Sequence, residues 1–216
     1  MKKILLFGDS NTFGYRPDRG GRYHADIRWA GIVAQHYRQK GIEVLEEGLS
    51  GRAALFDDTI HDIKKGVSVF PAILQKDGPV DLVVIMLGTN DCKIRFHATA
   101  QQIAEGIGQL VEQVLDYEKT QSKHDTRILI MSPILLGKGV GEPGFDLDFD
   151  GHSEQVAQHL AGEMKKIADR YHCEFLAASE YAKPSALDRE HMDEQEHAKL
   201  AAAVTDKLDS MTTDWV

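Results

Sequence analysis

The chain has 216 residues, 42% of them hydrophobic and 27% charged, which is enough for one α/β domain with a full core and too few for two. A formal charge of -9 without a dense Lys/Arg cluster excludes a phosphate-backbone partner, so no nucleic acid is expected. Cys92 and Cys173 are isolated thiols with no CxxC pair, which argues against a zinc site or a disulfide framework and fits a reducing compartment.

The elements follow in chain order. Ile4–Phe7 is apolar and ends at Gly8-Asp9, too short for a signal-peptide core but sufficient for a buried strand. A polar loop, 15–27, is longer than a plain connection needs. Trp29, Ile32, Val33 and Tyr37 then carry helical spacing, with Gly41 placed to end that helix. The second strand is expected over Ile42–Leu45, and Asp57 or Asp58 is the expected cap of the next helix. Leu82–Leu87 reads as the third strand, followed by a helix with Ile103, Ile107, Leu110, Val111 and Val114 on one face. Ile128–Met131 is the fourth strand. The long loop 133–152 is glycine-rich and leads to a helix that Ser153 would cap, with Val156, Leu160, Met164 and Ile167 facing inward. Glu174–Ala177 is the fifth strand, and Leu200, Val204 and Leu208 mark the last helix.

Strand and helix alternate about five times, the pattern of a parallel sheet covered on both faces, in a single domain over 1–216. No apolar run approaches the roughly 18 residues of a membrane span, so a soluble, cytoplasmic protein without a membrane partner is expected.

In such a sheet the loops leaving the strand C-termini converge on one rim, where ligands bind. Gly8-Asp9-Ser10-Asn11, Gly48-Leu49-Ser50-Gly51-Arg52 and Gly88-Thr89-Asn90-Asp91 all sit there. Ser10 is either the cap of a turn after the first strand or a nucleophile, and a nucleophilic serine needs a base with an orienting carboxylate. Of ten histidines, His36, His61, His159 and His172 lie in charged or helical surroundings that suit structural roles. His191 differs, with Asp188 three residues upstream on a turn between the last strand and the last helix. That spacing can bring a carboxylate to Nδ1 and leave Nε2 facing Ser10; the bland alternative is a polar turn that caps the final helix. Gly51 could offer a backbone N–H and Asn90 a side-chain amide to an oxyanion, beside the N–H of Ser10; as alternatives, Gly51 is a turn glycine and Asn90 closes its own loop.

These residues carry a resemblance. "GDSN", Gly51 in "EEGLSGR", "GTND" and the late "DREH" look like the four ordered blocks of the GDSL/SGNH hydrolase family. "DIRWAGIVAQ", "VLEEGLSGR" and "DLVVIMLGTNDCK" further resemble its small bacterial arylesterases and acyltransferases. The resemblance implies a flavodoxin-like three-layer α/β/α sandwich with a five-stranded parallel sheet of order 2-1-3-4-5. It also implies a serine esterase acting on short-chain acyl esters, with Ser10 as nucleophile, His191 as base, Asp188 as its partner, and an oxyanion hole of Ser10, Gly51 and Asn90. Arylesterase, carbohydrate acetylesterase, thioesterase and acyltransferase activities all fall within it. The sequence departs from the family where Arg189 and Glu190 replace the usual glycine and aliphatic residue between Asp and His, and where Ala53-Ala54 replace threonines.

Other signals are weaker. "DLDFDG", Asp146 to Gly151, imitates the start of a calcium loop but has Ala157 where a bidentate Glu is required, so no metal is expected. Gly8 and Gly14 form neither a dinucleotide fingerprint nor a P-loop, so no cofactor is expected. Asp9 and Trp29 are candidates for the substrate pocket, Asp9 more plausibly as a brace for its loop and Trp29 equally as core. The expected partner is a small-molecule acyl ester. A homo-oligomer is possible, with the 15–27 and 133–152 loops as its contacts. The alternative from another class is a non-catalytic flavodoxin-like module that binds a small ligand at the same rim.

Overall fold

A computed structural model describes residues 1–18, 20–122 and 125–215; Arg19, inside the 15–27 loop, lies outside the described residues. Five parallel strands, β1 (Lys3–Gly8), β2 (Glu43–Gly48), β3 (Leu82–Met86), β4 (Arg127–Ser132) and β5 (Glu174–Ala177), lie in the order β2-β1-β3-β4-β5. Among the described residues, six α-helices accompany these five strands: α1 (Ser10–Phe13), α2 (Trp29–Gln39), α3 (Gly66–Asp77), α4 (Ala100–Tyr117), α5 (Gly151–Tyr171) and α6 (Glu194–Met211).

Alternation along the strands builds the three layers. Leu5, Phe7, Val83, Ile85, Ile128 and Ile130 point into one core with α3, α4 and α5. Their neighbours Ile4, Leu6, Val84, Met86, Leu129 and Met131 point into a second core with α2 and α6. A sheet buried on both faces needs this continuous apolar sequence, and β1 and β3 have it. Among the described residues, no helix is long and apolar enough to cross a membrane.

Three local expectations are corrected. The second strand begins at Glu43 and continues through two glutamates to Gly48, because pairing in register with β1 matches Leu6 to Glu46, Phe7 to Glu47 and Gly8 to Gly48. Glu46 is tolerated on this edge strand because it receives a two-pronged contact from Arg28, at 2.7 and 2.8 Å. Neither Asp57 nor Asp58 caps α3. Lys65 occupies that position without a side-chain cap, while Asp57 accepts from the N–H of Lys65 and Asp58 from those of Ile60 and His61. Within α3, Pro71 cannot donate to the carbonyl of Val67, and Gln113 of α4 donates to it instead, at 2.8 Å. Ser153 is not the cap of α5 but the reciprocal half of a capping box. Asp150 accepts from the Ser153 N–H at 2.8 Å, and the Ser153 hydroxyl accepts from the Asp150 N–H at 3.2 Å.

Candidate active site

The first strand ends in a turn with no spare room. A Cβ on Gly8 would stand 2.0 Å from the Thr12 hydroxyl, so only glycine lets α1 start directly from β1. Asp9, not Ser10, is the cap of α1: its carboxylate accepts from the Asn11 N–H at 3.0 Å. Ser10 is thereby the first residue of the helix, its side chain released from capping and held at the sheet rim.

Asn11 ties this turn to the far end of the chain. Its amide donates to the Glu190 carbonyl at 3.3 Å and accepts from the Met192 N–H at 3.1 Å, so the 188–192 turn is docked on α1. His191 arrives with Nε2 2.8 Å from Ser10 Oγ and Nδ1 2.7 Å from Asp188 Oδ2. The other Asp188 oxygen accepts from the N–H groups of Glu190 and His191, which fixes the carboxylate against the ring. The Tyr15 ring packs on His191 with centroids 4.5 Å apart.

The electrostatics suit a hydrogen-bonded imidazole. Burial works against the charged forms of both partners, but the Asp188–His191 hydrogen bond and attraction outweigh it. Asp188 is left below the usual carboxylate range and His191 above the usual histidine range, with the charges of Glu190 and Asp9 adding to the second effect. Asp9 is fully buried, which pushes its carboxyl up to about 6.

Two more loops complete the rim. Gly51 adopts φ +82, a conformation that favours glycine, and its backbone faces the cleft. The Asn90 amide donates to the Arg52 carbonyl at 3.3 Å, tying the two loops together. Arg52 in turn donates to the carbonyls of Gly8 and Glu47 and stacks on Phe7, so the loops after β1, β2 and β3 share one scaffold. Asp91 fixes the next turn by accepting from the N–H groups of Ala54 and Leu55, at 2.7 and 2.9 Å. Ser10, Gly51, Asn90 and His191 line one cleft of about 520 Å³, an ordinary size for a small-molecule site.

Asp9 and Trp29 do not line that cleft. Both are fully buried; Trp29 belongs to the core between α2 and α6 and braces α1 through Nε1 to the Asn11 carbonyl, at 2.9 Å. The calcium-like stretch is used otherwise. Asp148 pairs with Arg95 at 2.6 Å and with Lys93 at 3.5 Å, and Asp150 caps α5. Among the described residues, no group of three His, Cys, Asp or Glu side chains could hold a metal. Sequence reasoning missed the tying role of Asn11 and the cleft positions of Tyr15, Lys93 and Glu190. Glu190 left a signal, as a departure from the family pattern, and Tyr15 opens the 15–27 loop, which is longer than a connection needs.

Fold and site together define a class, a carboxylic ester hydrolase built on a doubly covered parallel sheet. The chain belongs to the GDSL-like lipase/acylhydrolase family, whose model matches residues 6–200. None of the curated proteins matches it in sequence. Among solved structures it is similar to Est24, a carbohydrate acetylesterase from Sinorhizobium meliloti, at 32% identity and a TM-score of 0.88 over 98% of this chain and 100% of that one. It is also similar to the native aryl esterase of M. smegmatis, at 35% identity and a TM-score of 0.89 over 97% and 99% of the two chains. These relatives set aside the reading of a non-catalytic binding module.

Proposed function

We propose that the protein is a serine esterase acting on short-chain acyl esters through Ser10, His191 and Asp188. The observation that carries this reading is the unbroken chain of contacts from Ser10 Oγ through both nitrogens of His191 to Asp188, at 2.8 and 2.7 Å. Ser10 Oγ attacks the ester carbonyl carbon while its proton passes to His191 Nε2. The carbonyl oxygen takes the negative charge and is met by the N–H groups of Ser10 and Gly51 and the amide of Asn90, each such donor being worth about 3 kcal/mol. Collapse expels the alcohol, which takes the proton from His191, and leaves the acyl group on Ser10. Water, or a second alcohol, then attacks the acyl-enzyme with His191 again accepting the proton and returning it to Ser10. Asp188 holds the ring in the required tautomer and stabilises the imidazolium.

Treatment with a fluorophosphonate tests this directly: one equivalent should attach at Ser10 and abolish hydrolysis of p-nitrophenyl acetate. Ser10→Ala should neither label nor turn over that ester, while its circular dichroism matches wild type. Full activity in that variant would remove Ser10 from the mechanism. The yield of ester against free acid in water containing an added alcohol separates transfer from hydrolysis.

A further inference from the structure

The turn that delivers His191 brings a second carboxyl into the cleft, and the mechanism above gives it no task. Glu190 is 8% exposed, lines the cleft, and holds Oε1 3.7 Å from His191 Nε2, beyond hydrogen-bond reach. Among the described residues, its carboxyl makes no hydrogen bond. Its oxygens are not among the side-chain atoms sealed off without a partner, so they open onto the cleft, where a ligand hydroxyl can reach them.

The main chain at Glu190 is held in place. Its N–H donates to Asp188 at 3.0 Å and its carbonyl accepts from Asn11 at 3.3 Å. Arg189, just before it, adopts φ +62 and donates to the Gly139 carbonyl and to Glu142, both at 2.7 Å, while its own carbonyl accepts from the Gly137 N–H. The 133–152 loop therefore clamps the turn from outside and leaves the Glu190 side chain facing in. Burial pushes this carboxyl up to about 7, with Asp146 and Asp188 adding to the rise against His191 and Lys93, so near neutral pH it can donate or accept.

Position decides which half of an ester it meets. Nε2 must face the departing oxygen to return its proton, so a group beside Nε2 lies next to the alcohol half. We infer that Glu190 is a specificity residue for the alcohol half, its carboxyl hydrogen-bonding a hydroxyl on the carbon adjacent to the ester-bearing carbon. The cleft then selects esters of vicinally hydroxylated alcohols. This inference rests on the Ser10 reading, because it uses the leaving-group side that His191 defines.

The test is a pair of near-isosteric acetates, 2-hydroxyethyl acetate and propyl acetate, which differ by a terminal hydroxyl against a methyl. Wild type should prefer the hydroxylated ester in kcat/KM by about tenfold or more, the effect of one buried hydrogen bond. Glu190→Met should bring that ratio to within about twofold of unity, whereas Glu190→Gln, which keeps a donor and an acceptor, should hold it within about threefold of wild type. A wild-type ratio near unity overturns the inference whether or not the Met variant folds, and so does an unchanged ratio in that variant. Fluorophosphonate labelling is run alongside: a labelled wild type with a flat ratio refutes Glu190 alone, while an unlabelled wild type refutes the Ser10 reading and the inference with it.

Discussion

Three carboxyls act on His191: Asp188 is hydrogen-bonded at Nδ1, Glu190 stands 3.7 Å from Nε2, and the charge of the buried Asp9 adds to theirs. A general base must be neutral, so on the proposed mechanism activity is lost as pH falls through the folded pKa of His191. That pKa lies above the ordinary value of 6.5. The acidic limb of kcat/KM should therefore fall above that value, because the burial of the ring is outweighed by the hydrogen bond to Asp188 and the charge of Glu190. A pH–rate profile for p-nitrophenyl acetate measures it; a limb centred well below 6.5 would contradict the arrangement. In Asp188→Asn the one remaining oxygen is claimed by the N–H groups of Glu190 and His191, so an NH2 donor faces Nδ1, and the charge that raises the ring is gone. The substitution should lower kcat by about a thousandfold or more and move the remaining limb to lower pH. The pairing was legible in the sequence because its two residues are three apart on one turn. The meeting with Ser10 was expected from the same turn and the family resemblance, but what holds it was not legible, because it depends on Asn11, whose side chain reads as just another polar group.

Capping decides how the elements deliver these residues. Ser10 and Ser153 both look like caps in the sequence, and in both places an aspartate takes the role, Asp9 for α1 and Asp150 for α5. A serine close to a helix start is a reliable sign of a boundary but a poor guide to which residue caps, since the choice depends on backbone angles set by the preceding strand or loop. Asp150→Ala should cost about 1 kcal/mol of stability, read as a lower urea midpoint at an unchanged m-value. The glutamates of β2 and the uncapped start of α3 escaped the sequence for the same reason. Each is set by a neighbour, β2 by its register with β1 and the start of α3 by the carbonyls of Ala53 and Ala54, which accept from the N–H groups of Gly66 and Val67.

At the scale of the molecule, the active site depends on a core remote from it. Met192 follows His191 directly and is buried with Trp29, Leu200 and Val204 between α2 and α6, so the packing of the last helix holds the 188–192 turn against α1. Leu200→Ala should cost about 2–5 kcal/mol, measured as the loss in unfolding free energy in urea. By itself the sequence determined the parallel sheet, its two buried faces, the rim loops and the residue types that chemistry at a rim would need. It could do so because strand burial, helical spacing and turn residues are local signals read within a few positions. Only the tertiary structure decided that Trp29 and Asp9 are buried braces outside the cleft, that Asn11 joins the two ends of the chain, and that Glu190 faces into the cleft. Those outcomes follow from how strand twist and helix packing place residues far apart in sequence, and no window along the chain contains that information.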